Sequence, residues 1–311
     1  MKRVQYHRYG GPEVLKVEDF TLPEPGPGQV RIKVMAASAN PMDWKIRKGE
    51  MKFLTGGKFP RGLGHDFAGI IEAVGANVTR LKVGDEVFGA TGLKESGTFA
   101  EAAICDEKTT FIKPRAINFE EAASLPIVTA TAWTALVEKA NLRAGQRLLI
   151  TGCLGGVGHV SVQVAMLRGA TVAGSCSASR RDEALALGVS EAVDYRAFDA
   201  SNYHNSFDVV FDTHGSLTIA QCNDMLRKGG VALHIVPTPL KMIYGVINQR
   251  HKIIFAHLTP ESMAEVSAAV ELGKITPQVG KVVPLSDAIS AIVDFEKNGL
   301  SGGKLVISPM E

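Results

Sequence analysis

The stretch 148–158, LLITGCLGGVG, constrains this chain more than any other. An apolar run of Leu148, Leu149, Ile150 and Thr151 stops at Gly152. Gly155, Gly156 and Gly158 follow, within an amphipathic pattern of Val157, Val160, Val164 and Leu167. The spacing predicts a strand, a tight turn and a helix, the unit that binds a dinucleotide. Its glycines let the backbone turn sharply, approach a pyrophosphate closely and pack the helix against the strand. The first N–H groups of a helix have no intrahelical partner, and the helix dipole favours an anion there. Gly152, Leu154, Gly155, Gly156, Val157 and Gly158 are therefore the expected phosphate-binding residues.

The next apolar run, ATVAG at 170–174, decides which dinucleotide is expected. A site for NAD places Asp or Glu near the end of this strand, about 20 residues after the first glycine, to hold the ribose 2′-hydroxyl. Here Ser175, Cys176, Ser177, Ala178, Ser179, Arg180 and Arg181 stand instead, and no carboxylate appears before Asp182. Hydroxyls followed by guanidinium groups suit a 2′-phosphate, because Arg offers it bidentate, charge-assisted hydrogen bonds. The pattern points to NADPH, with Ser175, Ser177 and Arg180 as contacts. The same two arginines also suit the solvated start of the next helix.

The chain has 311 residues, enough for two domains. No run approaches the ~20 apolar residues that cross a membrane. The opening MKRVQYHRYGG has no apolar signal region, so a cytoplasmic location is expected. A formal net charge of +2, spread along the chain, gives no argument for nucleic acid or a membrane surface. Cys105, Cys153, Cys176 and Cys222 lie far apart without CxxC spacing. They read as reduced thiols, neither a disulfide framework nor a zinc knuckle.

Up to about residue 120 the texture is mostly β. Short alternating runs (30–34, 68–74, 85–88, 98–104) are broken by turns such as Pro25-Gly26-Pro27-Gly28. Strands and helices then alternate: helices at 119–123, 130–141, 157–167, 180–187, 216–226 and 260–272, and strands at 147–151, 170–174, 192–194, 207–212 and 231–236. That alternation implies a parallel sheet covered by helices. From Gly273 the first texture returns and closes with a strand at 304–307. The expected organisation is an α/β chain with a mostly-β domain at 1–122, completed by 273–311, and a doubly wound domain at 123–272.

Five ordered segments resemble one known family, the medium-chain dehydrogenase/reductases, and within it the zinc-free quinone oxidoreductase-like branch. The first, Asn40-Pro41-Met42-Asp43-Trp44-Lys45-Ile46-Arg47-Lys48-Gly49, is similar to that branch's NPxDxxxRxG. The second is Gly64-His65-Asp66-Phe67-Ala68-Gly69, continuing through Val74-Gly75 to Val83-Gly84-Asp85-Glu86-Val87. The third joins Leu125-Pro126 to Thr131-Ala132-Trp133-Thr134-Ala135-Leu136. The last two are Gly155-Gly156-Val157-Gly158 and Gly302-Gly303-Lys304-Leu305-Val306. The resemblance implies a GroES-like catalytic domain and a Rossmann domain, with the active site in the cleft between them. It also implies NADPH as hydride donor and a homodimer that pairs Rossmann sheets at an edge strand.

The departures are informative too. Zinc-dependent members carry Cys where this chain has Asn40, Ser near Met42, and a further Cys near Ile127. The four-cysteine loop of their structural zinc is missing. His65 matches one position of that set, but one His without two further ligands is not a catalytic zinc site, so no metal is expected. Without a metal to polarise an alcohol, alcohol dehydrogenation is not expected.

By the resemblance, the Asn40 carboxamide would bond the nicotinamide ribose or the substrate oxygen, although Asn-Pro also simply marks a turn. Asp43 would orient its neighbours or cap the following helix. Lys45 and Arg47 would steady an enolate oxygen or lie on a solvated helix face. Many relatives carry a Tyr where this chain has Met51. Tyr244 offers a substitute proton donor, since segment 237–248 follows a strand on the side of the sheet where ligands bind. Equally, 240–247 would serve as a dimer contact. Thr129 and Thr131 would meet the carboxamide, Thr213 and Gly215 the ribose, and His234, Ile235 and Val236 the nicotinamide. Lys304 would reach a cofactor phosphate.

Three functions follow. The first is an NADPH-dependent, zinc-independent reductase of a quinone or an α,β-unsaturated carbonyl. The second is an enoyl-thioester reductase, whose substrate arm would use Lys45, Arg47, Lys48, Lys52 and Lys58. The third is a non-catalytic NADPH-binding protein.

Overall fold

The computed structural model describes residues 1–236 and 238–309. In chain order its elements begin with β1 (Lys2–Tyr6), β2 (Lys16–Asp19), β3 (Gln29–Ser38), α1 (Pro41–Arg47), α2 (Lys52–Thr55) and β4 (Arg61–Gly62). Next come β5 (Asp66–Val74), β6 (Glu86–Ala90), β7 (Ala102–Asp106), β8 (Thr110–Ile112), α3 (Phe119–Ala123) and α4 (Pro126–Trp133). The alternating part contains β9 (Arg147–Ile150), α5 (Gly156–Leu167), β10 (Thr171–Cys176), α6 (Arg181–Ala186), β11 (Glu191–Asp194), β12 (Phe207–Asp212), α7 (Ile219–Met225), β13 (Leu226–His234), α8 (Pro239–Ile247) and β14 (His251–Ile253). The chain closes with α9 (Pro260–Glu271), β15 (Val279–Pro284), α10 (Ala288–Asn298) and β16 (Lys304–Ser308).

Two compact units result. One comprises Met1–Ile127 with Leu258–Glu311, and the other Val128–His257. In the first, β3 shows why the sequence folds as strand. Alternate residues Val30, Ile32, Val34 and Ala36 are buried, while Gln29, Arg31, Lys33 and Met35 face outward in part. This strand sits inside the sheet β15-β16-β3-β5-β6-β8, with β7 also paired to it. A smaller sheet, β2-β1-β4, lies beside the same chain segments. The unit's core joins Val4, Tyr6, Ile32, Phe67, Phe99, Ile292 and Leu305. The closing segment thus completes the same core as the opening one.

The second unit is a six-stranded parallel sheet ordered β11-β10-β9-β12-β13-β14. Numbered within the unit this is the Rossmann order, reversing between β9 and β12. Leu148, Leu149 and Ile150 of β9 are fully buried, as expected of a strand covered on both faces.

Three local differences from the sequence reading have simple causes. α4 stops at Trp133, and a π-helical turn continues from Thr134 to Lys139. β13 begins at Leu226, where polar and glycine residues mask a strand that pairs with Phe207 before a bulge. Helix α8 occupies a segment to which the reading gave no element. Thr238 accepts the Lys241 N–H and Pro239 takes the first turn, both ordinary helix-start devices.

Candidate active site

The glycine loop after β9 is fixed by its own backbone. The Gly152 N–H donates to Ser175 Oγ at 3.0 Å, Cys153 N–H to Ser175 O at 3.0 Å, and Gly155 N–H to Gly152 O at 3.0 Å. Gly152 has φ +63°, a conformation that favours glycine. A Cβ on Gly158 would fall 2.1 Å from Gly152 O, so the helix meets the strand end this closely only with glycine there. Gly155 caps α5, leaving the first helical N–H groups at Gly156, Val157 and Gly158 without intrahelical partners. Gly155 is exposed and Gly156 and Val157 are partly so, while Leu154 is buried beneath them. The arrangement is a cradle for an anion.

Beyond β10 the chain makes a one-turn helix, Ala178–Arg180, capped by Ser177. Ser177 Oγ lies 3.3 Å from Ser179 Oγ. Arg180 forks onto Glu183, with Nε to Oε2 at 2.7 Å and Nη2 to Oε1 at 2.5 Å. Arg181 is exposed at the start of α6. The donor set fits a 2′-phosphate: hydroxyls and guanidinium groups, with no carboxylate at the strand end itself.

The ends of β9, β12 and β13 meet at Asp212. Its carboxylate accepts Thr151 Oγ–H (3.2 Å), the N–H groups of Gly215 (2.9 Å), Ser216 (3.1 Å) and Leu217 (3.3 Å), and Lys241 Nζ (2.8 Å). Burial pushes this carboxyl up. His234, Lys241 and the Leu217 N–H outweigh it and hold the group at about 2. Thr213 spends its N–H and hydroxyl on Thr151, and Gly215 turns at φ +75°.

His234 is fully buried, its ring stacked on His251. Burial, with the positive field of His234, brings His251 down to about 4, so it is neutral near pH 7. The polarity of the chain then follows. His251 Nε2–H donates to Asn223 Oδ1 (3.0 Å), so its Nδ1 accepts His234 Nε2–H (3.1 Å). Asn223 and Asn248 each donate an amide N–H to Tyr244 Oη at 3.2 Å, which lowers the phenol's pKa. Tyr244 is thus half-buried on α8 and tied to α7 and β14. Ile235 lies in the bend after β13, and Thr129 is buried on α4 with its hydroxyl unpartnered.

The first unit holds a second, denser cluster. Asn40 caps α1 by position, but its side chain turns away from the helix. Its Nδ2 donates to Asp66 Oδ2 at 2.8 Å, and its Oδ1 accepts Lys304 Nζ at 2.5 Å. Asp66 also accepts Ser38 Oγ–H (3.0 Å) and Ile127 N–H (3.0 Å), with Lys304 Nζ 3.6 Å away. Burial pushes the Asp66 carboxyl up and the Lys304 ammonium down, and each partly offsets the shift of the other. Asp43 accepts the Asn40 N–H at 2.7 Å through Oδ2 and binds His65 Nδ1 at 2.7 Å through Oδ1.

The structure therefore brings Asn40, Asp43 and Lys304 together and gives the Lys304 ammonium two partners within this cluster. Arg47 is fully buried, donating to Gly10 O and Glu296, and so holds α1 against α10. Lys45 is half-exposed without a side-chain partner among the described residues. Sequence reasoning missed Asp66, Ser38, Asp212, Lys241 and His251 as members of polar networks. Lys241 did carry a signal: a single cation in the apolar stretch PLKMIYGVI, which reaches burial only with a partner.

Comparison with known proteins agrees with this layout. Residues 26–115 match the family model for the alcohol dehydrogenase GroES-like domain, and residues 187–307 that for zinc-binding dehydrogenase. The chain is 33% identical to the 2-methylene-furan-3-one reductase of Solanum lycopersicum, over 100% of this chain and 79% of that protein. It superposes on the quinone oxidoreductase from Coxiella burnetii with TM-score 0.89 and 30% identity, covering 99% of each chain. The Escherichia coli quinone oxidoreductase complexed with NADPH gives TM-score 0.83 and 25% identity, over 99% of this chain and 100% of that one.

Proposed function

We propose a reaction for this chain from its family: it belongs to the quinone oxidoreductase-like branch of the medium-chain dehydrogenase/reductases. The reaction is NADPH-dependent reduction of a quinone or an α,β-unsaturated carbonyl, without zinc. The observation that carries it is the cradle itself, a helix N-terminus opened by Gly152 and Gly158 beside a turn lined by Ser177, Ser179 and Arg180. A reduced nicotinamide, when bound, supplies a hydride to an electron-poor carbon.

The chain's own residues do the rest. The α5 N-terminus holds the pyrophosphate, and Ser177 and Arg180 hold the 2′-phosphate. Thr213 and Gly215 shape the wall beside the ribose. Asn40, fixed by Asp66 and Lys304, and Asp43, fixed by the Asn40 N–H, form the rigid polar floor of the catalytic unit. Within this floor the Lys304 ammonium, held by the Asn40 carboxamide, is the cation that would favour an enolate or hydroquinone anion as it forms. His65 stands where a zinc set would need two more ligands, and Asn40 and Ile127 supply none.

A homodimer accompanies this reading. β14 is an edge strand, and α8 turns Leu240, Ile243, Val246 and Ile247 to solvent. An apolar face beside an open edge calls for a partner.

The thioester alternative is weakened by the fate of its basic arm. Arg47 is buried and Lys48 is bonded to Glu296, which leaves Lys45, Lys52 and Lys58. The test is NADPH oxidation against a naphthoquinone, a medium-chain alkenal and crotonyl-CoA, each with and without a chelator. Turnover of the quinone or alkenal, indifferent to chelator, is expected. Crotonyl-CoA as the best substrate would select the thioester reading, and no turnover with tight NADPH binding the non-catalytic one.

A further inference from the structure

We propose that His65 is the proton donor of the reaction, oriented by Asp43. This role rests on the reductase reading. Asp43 is pinned through one oxygen by the Asn40 N–H at 2.7 Å and meets His65 Nδ1 with the other at 2.7 Å. A carboxylate in this pairing accepts, so Nδ1 carries the hydrogen and Nε2 is the nitrogen that gains and loses a proton. A base held this way by a carboxylate is the arrangement that acid–base catalysis uses elsewhere.

The second observation concerns Nε2. His65 and Asp43 are each 1% exposed, and Nε2 has no hydrogen-bond partner among the described residues. Leaving a buried polar atom unpaired costs about 1–3 kcal/mol, and native proteins keep such atoms where something else completes them.

The aim of the ring is fixed by its chain neighbours. Gly64, at φ +93°, lies so close to Phe99 that a Cβ would fall 2.4 Å from that ring. Asp66, on the other side, is held by Ser38, Asn40 and Ile127. His65 therefore sits between two immobile residues, as a group that must meet a substrate atom in one place requires.

Once a hydride and its electron pair have reached the β-carbon of the enone, the carbonyl oxygen carries the negative charge. The Nε2–H bond of the imidazolium breaks, its electron pair stays on Nε2, and the proton forms a new O–H bond. The enol becomes the saturated ketone, and solvent returns a proton to Nε2. With a quinone the same transfer yields the hydroquinone.

Two variants at His65 test this. H65A removes the ring and leaves room for free imidazole, whereas H65Q fills the space without an acid. Both are expected to bind NADPH as the wild type does and to lose about 10²–10⁴-fold in kcat for the enone, the contribution of a positioned general acid. Added imidazole restores rate to H65A and not to H65Q. D43N, which removes the charge facing Nδ1–H and with it the hold on the ring's tautomer and protonated form, lowers kcat with the enone KM unchanged and is not rescued. Independently of turnover, 4-nitrophenolate, an oxyanion with the geometry of the product anion, binds the wild type at least about tenfold more tightly than H65Q. An H65A rate within about threefold of the wild type, or a loss that imidazole does not restore with phenolate binding unchanged, overturns the proposal. If the wild type reduces no electrophile, the reductase reading falls instead, and phenolate binding still reports on His65.

Discussion

Replacing Lys241 by Met should expose how much the buried pair beneath the coenzyme loop contributes. Lys241 Nζ lies 2.8 Å from Asp212 Oδ2, and both side chains are almost wholly buried. Met keeps the stem's volume and removes the charge, leaving a buried carboxylate with its neutral donors and His234 alone. Breaking such a pair costs about 3–5 kcal/mol, and the surviving N–H donors place this case near about 3 kcal/mol. The pH dependence gives a second handle. The Asp212 carboxyl is held at about 2 in the folded chain against an ordinary 3.8. A group depressed in this way contributes stability that is fully present above its unfolded pKa and lost as pH falls toward the folded one. At about 1.4 kcal/mol per pH unit the shift amounts to about 2–3 kcal/mol. Urea unfolding of wild type and K241M at neutral pH and at about pH 3 would measure both quantities. The gap should be near 3 kcal/mol at neutral pH and should narrow on acidification. A gap under about 1 kcal/mol at neutral pH, or one that does not change with pH, would refute the reasoning.

Two further expectations concern binding. R180Q removes the guanidinium that would exchange its Glu183 partner for the 2′-phosphate, so NADPH should bind about 10–100-fold more weakly while NADH is unchanged, as a titration of coenzyme fluorescence would show. V246D places a charge on the α8 face at a residue 85% exposed. Light scattering should then find a monomer where the wild type is a dimer, whereas a wild type that is already monomeric would remove the basis of the assembly proposal.

The glycine turn after β9 was legible because its determinants are local. Gly152, Gly155, Gly156 and Gly158 act within one turn, and the apolar runs on either side announce strand and helix. The alternation announced a parallel sheet covered by helices, whereas the Rossmann order came with the family resemblance. The polar cluster of the first unit was legible only in its parts. Asn40, Asp43 and Lys304 were each singled out, but Lys304 lies 264 positions from the Asn40 oxygen it binds. No local pattern reports that meeting. The same holds for His65, whose pairing with Asp43 spans 22 positions and depends on how α1 follows β3. His234 was placed beside the nicotinamide by the family resemblance. Its side chain turns inward because His251, on the next strand, offers an acceptor. Alternation tells which residues end strands, and the partner across the sheet decides where their side chains go.

Coenzyme preference and zinc-free chemistry are read together in one measurement. It is kcat/KM for NADPH and for NADH with the best electrophile, in the presence of a chelator. The account predicts clear turnover, a large preference for NADPH and no effect of the chelator. A preference for NADH would contradict the roles of Ser177 and Arg180, and loss of activity with the chelator would contradict a zinc-free reaction at Asn40, Asp43 and His65.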